Sequence, residues 1–378
     1  MRKGTRPHSR VWGFGVRLFC GLVVLLLCSC ALQADQGNRP QQENANQTQK
    51  SETKPEVRKP SAPVDPNKFA LVVAGVGGEE AYTKKFTAQA TKLYDILTTQ
   101  LGFGTKNLTL LTEVATDGSP ENGSRESEGS PSRRATAEEV KKAFATIKSD
   151  AKPDSFVLIV LIGHGSVDNQ QPKFNLIGPD LTVKDYAQLI ASLPNKRVVF
   201  VNCSSSSGDF IKPLSAEGRI IITATRSGNE QNATIFAEHF IAGLANGTAD
   251  ADKNGRISVL EAFNYATATI AEWYKQKNRL ATEHALIDDN GDGTGHEDAS
   301  GNDGSVAKIV YIDSKNIEEA AGDADLARLI KERQRLEEEV EKLKGRKNEM
   351  KPEEYEAELE RLLVDLAKVN QQIKSKQK

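Results

Sequence analysis

The chain has 378 residues, enough for one or two domains plus tails. Acidic and basic side chains nearly cancel at a formal charge of −2, which excludes nucleic-acid binding driven by a basic surface.

Arg2, Lys3, Arg6, Arg10 and Arg17 precede a short apolar run from Gly21 to Leu27, too brief to span a bilayer. Residues 1–30 read as an export signal. The run closes with Leu27-Cys28-Ser29-Cys30, which resembles a bacterial lipoprotein processing site and would place the lipid on Cys30. Cleavage after Ala31 or Ala34 is the competing reading, and export follows from either. Residues 31–67 are rich in Gln, Asn, Pro, Lys and Ser, with too little apolar surface to fold, and read as a tether.

Phe69 to Val76 predicts a first strand, followed by an amphipathic helix with Phe86, Ala90, Leu93 and Leu97 on one face. Leu108 to Thr112 predicts a second strand, and residues 115–134, including Arg133-Arg134, a polar surface loop. Thr136, with Glu139 three residues on, predicts a capped helix start. Two continuous apolar runs follow, Phe156–Ile162 and Arg197–Val201, with a helix near Val183 to Ser192 between them. Runs of this kind are strands covered on both faces, as in parallel sheets. Arg219 to Thr225 predicts another strand and Thr234 to Leu244 a helix, with Val306 to Ile312 as an edge strand. The alternation specifies an α/β fold, a mostly parallel sheet with helices on both faces, over 68–313. His239 and His284 fall in helical patterns.

Over 314–378 the pattern changes. Leu326, Leu329, Arg333, Leu336, Val340 and Leu343 recur at three- and four-residue steps, and Tyr355, Leu359, Leu362, Leu366, Val369 and Ile373 repeat them after Gly345 and Pro352. Two helices joined by a polar turn predict an antiparallel coiled-coil hairpin, paired with itself or with a partner chain.

Within 244–300, Asp250 to Glu261 fits the twelve-residue EF-hand loop. Asp250, Asp252, Asn254, Arg256, Ser258 and Glu261 stand at the ligand positions one, three, five, seven, nine and twelve, and Gly255 at the obligatory turn. Oxygen donors at this spacing predict bound Ca2+. A second run carries Asp288, Asn290 and Asp292 in the first half of such a loop, but Ala299 stands at the twelfth place.

The long strands end in reactive side chains, Gly163-His164-Gly165 after one and Asn202-Cys203 with four serines after the other. The crevice beyond the carboxyl ends of parallel strands is where ligands bind. Once the signal is removed and Cys30 lipidated, Cys203 is the single cysteine left, so it has no disulfide partner. These strand ends, together with Arg226 to Glu230 after the next strand, resemble the caspase-like (legumain and caspase clan) cysteine peptidases over roughly residues 68–245. The layout is similar to that of an uncharacterised group of exported bacterial members. The resemblance implies that His164 assists Cys203 as nucleophile, that Gly165 contributes a backbone amide to the oxyanion, and that Arg226 and Glu230 line a substrate pocket. The chain departs from the family pattern of Asp-Ala-Cys, one residue, Ser-Gly. Counting back from Ser207-Gly208 puts Ser205 at the nucleophile place, and counting forward from Asn202 puts Ser204 there. The expected function is an exported cysteine endopeptidase with a structural calcium site, acting on a peptide or protein substrate and meeting the membrane only through its N-terminal lipid. The alternative is a catalytically inactive, calcium-stabilised scaffold acting through its coiled tail.

Overall fold

A computed structural model describes residues 62–115, 132–195, 197–298, 303–315, 320 and 322–376. The expected export signal, Cys30 and most of the tether lie outside these residues. Among the described residues, no helix is long and apolar enough to cross a membrane.

The protein is a mixed α/β domain followed by a helical hairpin. Strands β1 (Lys68–Ala74), β2 (Leu108–Thr112), β3 (Arg133–Arg134), β4 (Phe156–Ile162), β8 (Arg197–Asn202), β9 (Arg219–Thr223) and β10 (Leu286–Asp288) form a seven-stranded sheet. Their spatial order is β10-β9-β8-β4-β1-β2-β3. All neighbours are parallel except β10, which runs antiparallel to β9. The order reverses between β1 and β4, whose registers match along their full length from Lys68 opposite Phe156 to Ala74 opposite Ile162. Strands β5 (Gly165–Asp168), β6 (Gln171–Phe174) and β7 (Leu181–Thr182) make a small antiparallel sheet after the His164 turn.

Successive residues of a strand face opposite sides, so each central strand supplies two cores. Val72, Val160, Val201 and Ile222 pack with α1 (Glu80–Thr99), α5 (Phe236–Leu244) and α6 (Val259–Gln276). Leu71, Ile159, Phe200 and Ile221 pack on the other face with α2 (Ala137–Asp150), α3 (Val183–Ala191) and α4 (Ile211–Leu214). The predicted cap of α2 is present, with the Thr136 hydroxyl accepting from the Glu139 amide.

Three sequence expectations are corrected. Arg133-Arg134 is not loop but an edge strand registered on Leu111 and Thr112. The segment Val306 to Ile312 is not a strand, and β10 takes the sheet edge instead. The amides of Gly304 and Ala307 donate to the Asp289 carboxylate, and those of Lys308 and Val310 close local turns. Ala307, Val310 and Ile312 are buried, so their apolar pattern reflects packing rather than a ladder. His284 lies outside any helix, in the extended stretch before β10.

The tail forms α7 (Ala324–Gly345) and α8 (Pro352–Lys376). The two helices pair with each other, as Leu336, Val340, Leu343, Tyr355 and Leu362 share one cluster. Toward the domain, α7 presents charges. Lys331 pairs with Asp154, Glu338 with Arg197, and Lys342 with Glu217 at 3.4 Å. Asp154, Arg197 and Glu217 stand at or just before the starts of β4, β8 and β9. The hairpin therefore meets the amino edge of the sheet, opposite the His164 edge.

At that amino edge Lys68 is buried. Its ammonium donates to the carbonyl oxygens of Ile312 at 2.6 Å and of Asp313, with the Phe103 and Phe156 rings alongside.

Candidate functional site

Strand β4 ends at Ile162, and Gly163 turns the chain so that His164 faces α1. Its ring stands edge-on to Tyr82 and Phe86, with centroids 4.8 and 5.0 Å away. Burial among these groups lowers its pKa, against the opposing effect of a hydrogen bond to the Gly77 backbone, so the ring is neutral at pH 7.

Cys203 continues the alternation Val199, Val201, Cys203, which directs its side chain into the apolar layer shared with α1, α5 and α6. It is 2% exposed. Its amide donates to Leu161, and its carbonyl accepts from the Thr234 hydroxyl at 2.5 Å. Burial, with the nearby Glu283 carboxylate adding to it, pushes the thiol pKa far up. Cys203 is thus a protonated core residue. A thiol acts as a nucleophile only as the thiolate.

Ser205 is what meets the His-Gly turn. Its hydroxyl donates to the Gly165 carbonyl at 3.1 Å, and the Gly165 amide donates back to it at 3.3 Å. The approach requires glycine, since a Cβ on Gly165 would lie 2.4 Å from the Ser205 carbonyl oxygen and 2.7 Å from the Ser204 hydroxyl. Ser204 is held apart, its hydroxyl donating to Asn202 Oδ1 at 2.7 Å. Ser206 takes a φ of 55°, and Ser207 Oγ lies 3.1 Å from Thr225 Oγ1. All four serines are buried.

Arg226 and Glu230 sit beyond β9 and bind each other. The Glu230 carboxylate accepts from the Arg226 amide at 3.0 Å, from Arg226 Nε at 3.2 Å and from the His284 amide at 3.1 Å. His284 Nδ1 lies 2.5 Å from it. The group ties the 226–230 turn to the stretch before β10. The sequence pattern gave no sign of His284 here, nor of Glu283. The buried Glu283 carboxylate accepts from the Ile235 and Phe236 amides at the start of α5 and from the Tyr274 hydroxyl. His239 faces Thr269, with Nδ1 at 2.9 Å from the hydroxyl.

The acidic loop between α5 and α6 winds around its own carboxylates. Gly255 adopts φ 78° and donates its amide to Asp250 Oδ2 at 2.8 Å. Asn254 donates to Asp252 Oδ1 at 3.0 Å, and Arg256 to Asn254 Oδ1 at 2.7 Å. Glu261 accepts from Ala251 at 3.0 Å and from the Ser258 amide and hydroxyl at 2.9 and 2.8 Å. Asp250, Asp252 and Glu261 each bring a carboxylate oxygen within 4.8 Å of the others, an arrangement able to hold a metal ion. Asp250 Oδ1 is buried and has no hydrogen-bond partner. An all-oxygen donor set with one orphaned oxygen fits a hard cation.

Behind the loop, the Ile312 amide donates to the Ile257 carbonyl, and the Asp313 carboxylate accepts from the Ile257 amide and from Arg256. In the second acidic run Asp288 accepts from the Gly291 and Gly293 amides, Asn290 from Asp292, and Asp292 from Thr294. Its twelfth place, Ala299, lies outside the described residues.

Neither the protein-family models nor the curated proteins include a match to this chain. Among solved structures it is similar to the crystal structure of protein GSU0716 from Geobacter sulfurreducens. The two are 13% identical with a TM-score of 0.39, over 59% of this chain and 93% of that one.

Proposed function

We propose that this chain is an exported scaffold, lipid-anchored through Cys30, whose α/β domain is stabilised by calcium and whose strand-end edge is catalytically silent. It works through its coiled hairpin. The observation that carries this reading is the exchange of places at the edge, with Ser205 against Gly165 and the Cys203 sulfur in the apolar core.

Chemistry gives the reason. A serine attacks only when a base takes its proton, and the Ser205 proton is directed at the Gly165 carbonyl instead of at the His164 ring. The Gly165 amide, the natural donor to an oxyanion, is already engaged by Ser205. Calcium is the cation favoured at Asp250, Asp252, Asn254, Arg256, Ser258 and Glu261, through its carboxylates, its carbonyl and hydroxyl oxygens and the turn at Gly255.

The test is thiol labelling by an iodoacetamide probe at neutral pH, on wild type and His164→Ala. The expected result is slow labelling, equal in both proteins, rising about tenfold or more once denaturant opens the core. Fast labelling that the substitution abolishes would overturn the scaffold reading and support the endopeptidase, with Cys203 as nucleophile, His164 as its partner and a peptide as substrate.

A further inference from the structure

The hairpin turns α7 toward the domain and leaves one face of α8 open. Helical geometry of 3.6 residues per turn puts Glu353, Glu356, Glu360, Leu363, Val364, Ala367, Gln371 and Lys374 within a wedge of about 100°. All of them are exposed, while Tyr355, Leu362 and Ile373 point into the hairpin. Leu363 and Val364 are 47% and 45% exposed, and with Leu359 and Ala367 they line a shallow groove. Adjacent exposed aliphatic side chains on a helix already paired on its other face suit a second helix.

The charges on the face select the occupant. Its amino half is acidic and its carboxyl half ends in Lys374. We propose that the occupant is α8 of a second copy of this chain, antiparallel, with the two-fold axis between Leu363 and Val364. In that register every outward position meets an outward position. Leu363 faces Val364, Glu360 faces Ala367, Glu356 faces Gln371, and Glu353 faces Lys374. A parallel pairing would stack glutamate on glutamate, which costs affinity. Each contact occurs twice because the patch is its own partner. The proposal rests on the reading of the hairpin as an interaction arm and names the partner of that arm.

Sedimentation of the full-length chain tests it over roughly 1 to 100 µM, the range of a weak dimer. The expected result is a reversible shift to twice the monomer mass. Leu363→Glu with Val364→Glu should weaken it at least about tenfold, with helix content unchanged by circular dichroism. Glu353→Lys alone and Lys374→Glu alone should each weaken it, and the two together should restore it. A monomer at every concentration, a dimer indifferent to the apolar substitutions, or a double charge exchange that restores nothing would overturn the proposal. A monomer would leave the silent-edge reading standing. Rapid His164-dependent labelling would remove that reading and leave the dimer.

Discussion

The strand-end edge and the acidic loop were both candidate sites, and they differ in which polar groups they bring together. At the edge, Ser204, Ser205 and Ser207, the Gly165 amide and the Glu230 carboxylate are bonded to one another or to backbone within the chain. At the loop, the geometry is assembled with one carboxylate oxygen of Asp250 left over. Buried polar groups lacking a partner cost about 1–3 kcal/mol each. Orphans occur at both, since Ser206 Oγ and Asn202 Nδ2 at the edge also lack a partner; what sets the loop apart is that three carboxylates converge there in an arrangement able to hold a metal ion.

The largest expected effect attacks the edge. Gly165→Ala forces a methyl into backbone 2.4 Å away and should destabilise the domain by about 2–4 kcal/mol, measured by urea unfolding. A variant as stable as wild type would mean that the edge is open and the contrast false. The loop comes next. Saturating calcium should stabilise the wild type by about 2–3 kcal/mol, and Asp250→Asn or Glu261→Gln should abolish the gain. A chelator that leaves the melting temperature of wild type untouched discards the calcium site. For Cys203, Ser should be worse than Ala by about 1 kcal/mol, because it buries a hydroxyl among apolar groups. The reverse order would mean polar surroundings for the sulfur.

The smallest effect concerns pH. The folded His164 pKa lies below its unfolded value, so the unfolded state binds more protons between the two. Its contribution is complete above the unfolded pKa near 6.5 and is lost as pH falls from there through the lower folded pKa. Wild type should therefore lose more stability between pH 7 and 5 than His164→Gln does. Identical pH profiles would place the ring in water.

Much of this was legible in the chain because it rests on periodicity. The unbroken β-branched-rich run Phe156–Ile162 reads as a strand covered on both sides, and the three- and four-residue steps from Leu326 onward read as helices with one apolar seam, although only the structure shows the two pairing with each other. The meeting of the Asp250, Asp252 and Glu261 carboxylates was legible because it follows from their spacing in the loop. What escaped depends on partners distant in sequence. Val306 to Ile312 alternates like a strand, but the Asp289 carboxylate captures the Ala307 amide and local turns take those of Lys308 and Val310. The serine run does not reveal that Ser205 folds onto a glycine forty residues earlier. Cys203 shares the parity of Val199 and Val201, which directs its side chain into the core, whereas a lone thiol at a strand end reads as a nucleophile.

Lys68 ties the acidic loop to the first strand. The stretch whose carbonyls receive its ammonium also supplies the amide that pairs with Ile257 and the carboxylate that grips Arg256. Peeling that stretch away would leave the Lys68 amine, whose pKa burial lowers to about 7, without those carbonyl acceptors beside two aromatic rings, and would free the back of the loop in one event. Fraying and release of a cation bound at the loop would then be a single cooperative opening, and amide exchange at β1 should slow when calcium is added.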